Sequence, residues 1–217
     1  MDNVRVKAVY RSKCSVRVAV EFDPQVVCIS FRRERYEIGI PRTYVIAHYA
    51  PAESELTQLW TPLAPCVFCE GREGRLGVLP LFNMDRAHVC MGKDFYAARA
   101  AGVREEDLRQ DAISTALEFF GSDFNGSLYP QLKEFPRSLR SRIAGAEPAN
   151  YFARILSTWQ QVTKELGLKR MLRWNWNPGN RGLTFGDRMR EGGFRKEKYN
   201  SGDVKDDLLD LPAQVPR

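Results

Sequence analysis

Apolar and polar residues alternate at the start of the chain, through Val4, Val6, Ala8 and Tyr10 and again through Val16, Val18, Val20 and Phe22. A period of two belongs to half-buried antiparallel strands. Two strands joined by a hairpin over residues 11–15 are therefore expected. After the Asp23-Pro24 break a third run covers residues 26–31, and a fourth covers 36–49 with an interruption at Pro41. Residues 51–65 read as a polar loop with prolines at both ends. A short apolar run at 66–69 then turns through glycines 71 and 74 into 76–79, which predicts a last hairpin.

Beyond Cys90 the period lengthens. Residues 95–101 are Ala-rich and stop at Gly102; over 103–120, Leu108, Ala112, Ile113, Ala116, Leu117 and Phe120 share one face. Glu105, Glu106 and Asp107 sit where a helix dipole favours anions, and Gly121 supplies the stop. A polar loop over 122–130 precedes a shorter helical segment, 132–143, disturbed by Pro136. A further helix over 150–166 carries Phe152, Ile155, Leu156, Trp159, Val162 and Leu166 on one stripe, with Gly167 as its end. Strands first and helices afterwards predict an α+β fold, an antiparallel β-meander followed by helices.

A chain of 217 residues with a 43% apolar share has enough material for one good core. Charges interrupt the first twenty residues, and nowhere do eighteen apolar residues run together. The expectation is a cytoplasmic protein without a membrane segment, whose five cysteines stay as free thiols. The net charge of +6 is local: ten Lys or Arg against four acids between Lys164 and Lys198 give +6 by themselves. The composition thus divides the chain into an α+β domain at 1–167, a basic and aromatic-containing extension at 168–202, and an acidic tail at 203–217 that is expected to fray.

Candidate chemistry centres on Cys90. A cysteine is a nucleophile as its thiolate, which requires exposure and a polar or positive surround. Cys90 lies where the sheet gives way to helices, two residues before Gly92 and close in sequence to Arg86, His88 and Lys93. A Cys near a Gly at a strand end also occurs as simple packing. Cys28 and Cys66 lie in apolar runs and read as small hydrophobes. Cys66 and Cys69 form a C-x-x-C, but Val67 and Phe68 suggest a strand that sends the two thiols to opposite faces, so neither metal nor redox cofactor is expected.

The segment Leu81-Phe82-Asn83, a polar turn, and His88-Val89-Cys90-Met91-Gly92 resembles ubiquitin-conjugating enzymes, in which a His-Pro-Asn motif precedes an active-site Cys; Leu81 and Phe82 stand where His-Pro would. It is more similar to the bacterial branch, the prokaryotic family-D conjugating-enzyme-like proteins of the PRTRC system protein B kind. There a strand pair leads to an Asn, then Val-Cys-x-Gly, then a helix ending Phe-Phe-x-Ser-x-Phe, and here Asn83, residues 89–92 and residues 119–124 follow in that order. The resemblance spans about residues 65–135. It implies a UBC-like fold, here with extra N-terminal strands, and thioester transfer: a ThiF-type activating enzyme hands a ubiquitin-like protein to Cys90, which passes it to an amine or other nucleophile. Asn83 would donate an N–H to the oxyanion, a contribution of about 3–4 kcal/mol where a comparable donor has been removed. Asp123 would hold or deprotonate the incoming amine, with Asp94 and Asn125 as further polar residues. His88, two residues from Cys90 in an extended segment, points to the same side and would favour the thiolate, or else is a solvent-facing turn residue.

A binding function is the alternative. Lys169, Arg170 and Arg173 with Trp174 and Trp176 combine cations for phosphate with rings for stacking, the elements of a nucleic-acid surface. Trp174 and Trp176 also alternate with polar residues as core positions of a strand do, and a basic face suits an acidic protein partner equally.

Overall fold

The computed structural model describes residues 4–52, 59–71, 74–81, 84–85, 87–124, 135–143, 151–173, 176 and 183–191. The chain opens with β1 (Val4–Ser12), β2 (Ser15–Phe22), β3 (Gln25–Phe31), β4 (Glu34–Ile40), β5 (Thr43–Pro51) and β6 (Leu59–Glu70). The short strands β7 (Leu76–Val78), β8 (Met84–Asp85) and β9 (His88–Val89) follow, then α1 (Lys93–Ala98), β10 (Val103–Arg104), α2 (Leu108–Gly121) and β11 (Asp123–Phe124). Four helices close the described chain: α3 (Arg137–Ile143), α4 (Tyr151–Leu166), α5 (Leu168–Met171) and α6 (Phe185–Glu191). The class is α+β, an antiparallel sheet with helices.

The expected meander is interrupted. The main sheet runs β1-β2-β5-β6-β9-β8, with β7 and β10 also on β6, because β3 and β4 leave as a hairpin and form a second sheet, β11-β3-β4. Only the β11–β3 pair is parallel among the described ladders. Alternation along β2 is the same whichever strand lies beside it, so the pattern alone gives no reason to pair β2 with β5 across the intervening hairpin. The loop expected to reach residue 65 is also corrected, since β6 starts at Leu59 and holds Pro62 and Pro65 inside a strand. An irregular register between Ile46 and His48, where Cys66 pairs with Ile46 and Leu63 with His48, gives β6 an extra residue beside Pro65 and accommodates its missing N–H.

The main sheet buries both faces. On one, Val16, Val18, Val20 and Phe22 of β2 join Val45, Ala47 and Tyr49 of β5 beneath α2, with the Phe22 and Phe120 rings 4.8 Å apart. On the other, Tyr10, Ala19, Tyr44, Ile46, Cys66 and Phe68 lie under Met189 and Phe185 of α6. Arg17 reaches across from β2 and donates to the carbonyls of Met189, at 2.6 Å, and Arg190. These belong to the last turn of α6, whose carbonyls have no partners within the helix.

The edge of the smaller sheet is closed by α4. The outward N–H groups of Glu37 and Gly39 donate to Gln160 Oε1 at 2.6 Å and Thr163 Oγ1 at 2.9 Å, while the Trp159 indole donates to the Gly39 carbonyl at 3.0 Å. Paired in this way, the edge of β4 is closed to strand addition there. Met171 of α5 packs over Gly39, where a Cβ would stand 3.1 Å from its sulfur. The boundary expected at residue 167 therefore does not separate two packing units: Met171 and Trp176 belong to the main core and Met189 to the opposite one. Burial of Trp176 also corrects its reading as a stacking surface. It lies 5.4 Å from Trp159, ring to ring, and its N–H is taken by the Met171 carbonyl.

Candidate functional site

Cys90 is displayed by a strand that ends abruptly. β9 is held on one side by β6, through the Cys66–His88 pair and the Val67 N–H to Ala87 carbonyl bond of 2.8 Å, and on the other by β8. Val89 is buried in the main core; Cys90 is exposed. Gly92 then adopts φ +79°, a conformation that suits glycine, and α1 begins at the next residue.

Helix α1 is fixed to α2 through one arginine. Arg99 lies 4.0 Å from the Phe95 ring centroid and pairs through Nε with Asp111 at 2.8 Å and through Nη2 with Glu118 at 3.1 Å. The Tyr49 hydroxyl donates to the second oxygen of Asp111 at 2.8 Å, which ties this pair to the central sheet. Burial raises the Tyr49 phenol pKa well above its ordinary value, and Asp111 adds to the shift, so Tyr49 is a hydrogen-bond donor throughout the working pH range.

Between the two helices lies a cleft of about 660 Å³. Met91, Asp94, Phe95, Ala98 and Arg99 form one wall; Leu117, Glu118, Gly121 and Ser122 form the other. The volume falls within the range of sites for small molecules or extended side chains. Its walls are apolar apart from Arg99, Ser122 and the carboxylates Asp94 and Glu118. The cleft begins one residue after Cys90 and ends one residue before Asp123. Tyr96, 37% exposed, has its phenol pKa raised first by burial and then by the Cys90 thiol, which puts these two side chains within electrostatic reach.

The other site residues separate. Asn83 lies outside the described residues, as do Asn125 and Trp174. Asp123 Oδ1 accepts from the Ser30 hydroxyl at 2.7 Å and from the Arg33 N–H at 3.5 Å, which fastens β11 to the β3–β4 hairpin. His88 is half-buried and faces the electrostatic environment of His48. Lys169, Arg170 and Arg173 are exposed. Sequence reasoning missed Arg99, Leu117 and Glu118 as walls of the cleft that begins at Met91; the signal was the i, i+7 spacing of Asp111 and Glu118 on α2, which puts two carboxylates on one face toward α1.

The remaining cysteines differ in kind. Burial pushes the Cys66 thiol up to about 12 and Cys69 higher still, so both stay protonated and inert. Cys66 and Cys69 belong to opposite cores, as a strand requires, and among the described residues no three His, Cys, Asp or Glu side chains gather as a metal site. Cys14 and Cys28 are exposed but lie on the first hairpin turn and on β3, and neither lines the cleft.

His48 gives the fold a pH dependence. Burial first, then the charges of Arg17 and His88, lower its pKa from 6.5 to about 4. The unfolded chain takes up this proton first on acidification. The contribution of neutral His48 is therefore intact above pH 6.5 and declines as pH falls from 6.5 towards 4, and the loss reaches about 3 kcal/mol once both states are protonated. Urea titrations at a series of pH values are expected to show that slope, flattened in His48→Gln; an equal slope in both proteins would assign it elsewhere.

No described helix is long and apolar enough to cross a membrane. Comparisons with protein families, with curated proteins and with solved structures find nothing that matches this chain.

Proposed function

We propose that the protein is a thiol acyl carrier of the ubiquitin-conjugating-enzyme-like kind, built on a UBC-like α+β domain with extra N-terminal strands. Cys90 attacks the thioester that links a ubiquitin-like protein to a ThiF-type activating enzyme; its sulfur forms the new C–S bond and the activating enzyme's thiolate leaves. An amine or other nucleophile then attacks the carbonyl carbon and expels Cys90. Both steps pass through an oxyanion, for which Asn83 is the proposed donor.

The observation that carries this reading is the position of Cys90: an exposed thiol at the end of a buried strand, immediately before the residues that wall the cleft. An incoming nucleophile needs a place beside the thioester, and the cleft offers one with apolar walls and two carboxylates. Asp94 is better placed there to accept the amine's proton than Asp123, whose oxygen is engaged by Ser30 and Arg33, or Glu118, whose two oxygens are held by Arg99. His88, turned to the environment of His48, is assigned no proton transfer.

Incubation with the activating enzyme and ubiquitin-like protein of the same cell, with ATP, is expected to give an adduct that dithiothreitol cleaves and that Cys90→Ala lacks. An adduct that forms equally on Cys90→Ala would remove Cys90 from the reaction.

A further inference from the structure

Four large hydrophobic side chains are exposed among the described residues, and two of them, Tyr96 on α1 and Leu117 on α2, stand on the helices that flank the cleft. Exposed apolar groups gathered beside a concavity mark a surface that a ligand covers. Leu117 lines the cleft itself, with Met91, Phe95 and Ala98. Gly121 adds no side chain to the wall, and a Cβ placed there would meet no atom within 4 Å. The lining therefore has room for a hydrophobic body and gains from covering one.

The charges give the ligand its sign. Glu118 accepts from Nη1 of Arg99 at 3.2 Å and from Nη2 at 3.1 Å, and Asp111 takes Nε at 2.8 Å, so this guanidinium is already matched by two carboxylates. Asp94 remains: among the described residues its carboxylate has no hydrogen bond or ion pair. Next to the lining in sequence stand Lys93, beside Asp94, and Asp123, beside Ser122, both exposed and of opposite sign. The balance inside the cleft is therefore negative, which favours an ammonium and repels a carboxylate or phosphate.

Size separates a free molecule from a protein side chain. A lysine's four-carbon stem and ammonium, at roughly 30 Å³ per heavy atom, would take about a quarter of the 660 Å³. We propose that the cleft binds a small primary amine carried on an apolar body, with its ammonium at Asp94 and its body against Met91, Phe95, Ala98 and Leu117. That this amine is the acceptor rests on the thioester reading; its binding does not.

Two-dimensional ¹H–¹⁵N NMR of the full chain, titrated with 4-phenylbutylamine and with no activating enzyme present, tests the site. Because no thioester forms, a failure here strikes the ligand class and leaves acyl transfer to its own test. Shifts are expected on α1 and on residues 117–122, with a Kd of about 1 mM or tighter for a ligand of about eleven heavy atoms. 4-Phenylbutyrate, with the same body and the opposite charge, should bind at least about tenfold more weakly, and Nα-acetyl-lysine amide, with the ammonium but no apolar body, at least about fivefold more weakly. Asp94→Asn should weaken the amine about three- to fivefold and leave 4-phenylbutanol within about 1.5-fold. Gly121→Leu, which fills the cleft, should weaken amine and alcohol alike by about tenfold. If that variant disturbs the end of α2, Leu117→Ser, at an exposed position, gives the same reading as a loss of about threefold for both ligands. Binding of the carboxylate or of the lysine derivative as tight as that of the amine would overturn the proposal. So would shifts that spread evenly beyond the two helices, or binding that is unchanged in both Gly121→Leu and Leu117→Ser.

Discussion

Trp159→Ala is expected to cost about 3–5 kcal/mol of folding stability, the range for loss of a large aromatic from a packed core. For a domain of this size that lowers the melting temperature by roughly 6–20 °C. Three losses coincide at this residue. It is fully buried, its ring meets Phe135 at 6.1 Å and Trp176 at 5.4 Å, and its indole N–H satisfies the Gly39 carbonyl on the edge of β4. Trp159→Phe keeps an aromatic filling but leaves that carbonyl unpaired, for a smaller loss of about 1–3 kcal/mol. Differential scanning calorimetry ranks wild type above Trp159→Phe above Trp159→Ala. A loss under about 1 kcal/mol for the alanine variant would mean that α4 does not close the smaller sheet as described.

Much of this architecture is legible in the residues, because each element carries its own period. The β1–β2 hairpin, the α4 stripe through Ile155, Trp159 and Val162, and the opposite facing of Cys66 and Cys69 follow from local pattern and recur in the fold. What is not legible depends on distant partners. Pairing of β2 with β5, and the strand around Pro62 and Pro65, require knowledge of what lies alongside. Helix α6 offers little local pattern, since Phe185 and Met189 are a single i, i+4 pair. Its anchor, Arg17, lies 172 residues from Met189. Trp176 left two readings open in sequence, surface or core, and only Trp159 and the Met171 carbonyl decide between them.

The candidate site divides the same way. That Cys90 is displayed follows from its place between a strand and a glycine, and it is exposed. The cleft beside it does not follow, because its second wall comes from the end of α2, and Arg99 fixes the separation of the walls by holding Asp111 and Glu118 together.

Loss of Cys90 is expected to have the largest functional effect, a complete loss of acyl transfer. Among the described residues no other thiol offers the same combination. Cys66 and Cys69 are buried with raised pKa values, and the exposed Cys14 and Cys28 lie on elements that contribute nothing to the cleft walls. A thioester at Cys90 would have Tyr96 within electrostatic reach and the cleft beside it, so selectivity is expected to come from binding of the acyl donor rather than from exposure, which three thiols share. Asp94→Asn should leave loading of Cys90 intact and slow discharge to an added amine by about 10²-fold, the lower range for loss of a general base.

The most direct measurement uses a peptide thioester with a C-terminal glycine as the acyl donor and needs no partner protein. Intact-mass spectrometry, followed by peptide mapping, should find one acyl group on the wild-type protein, on Cys90, and none on Cys90→Ala, with Cys14→Ser and Cys28→Ser indistinguishable from wild type. Acylation spread evenly over Cys14, Cys28 and Cys90, or undiminished in Cys90→Ala, would contradict the assignment of Cys90 as the acyl-carrying thiol.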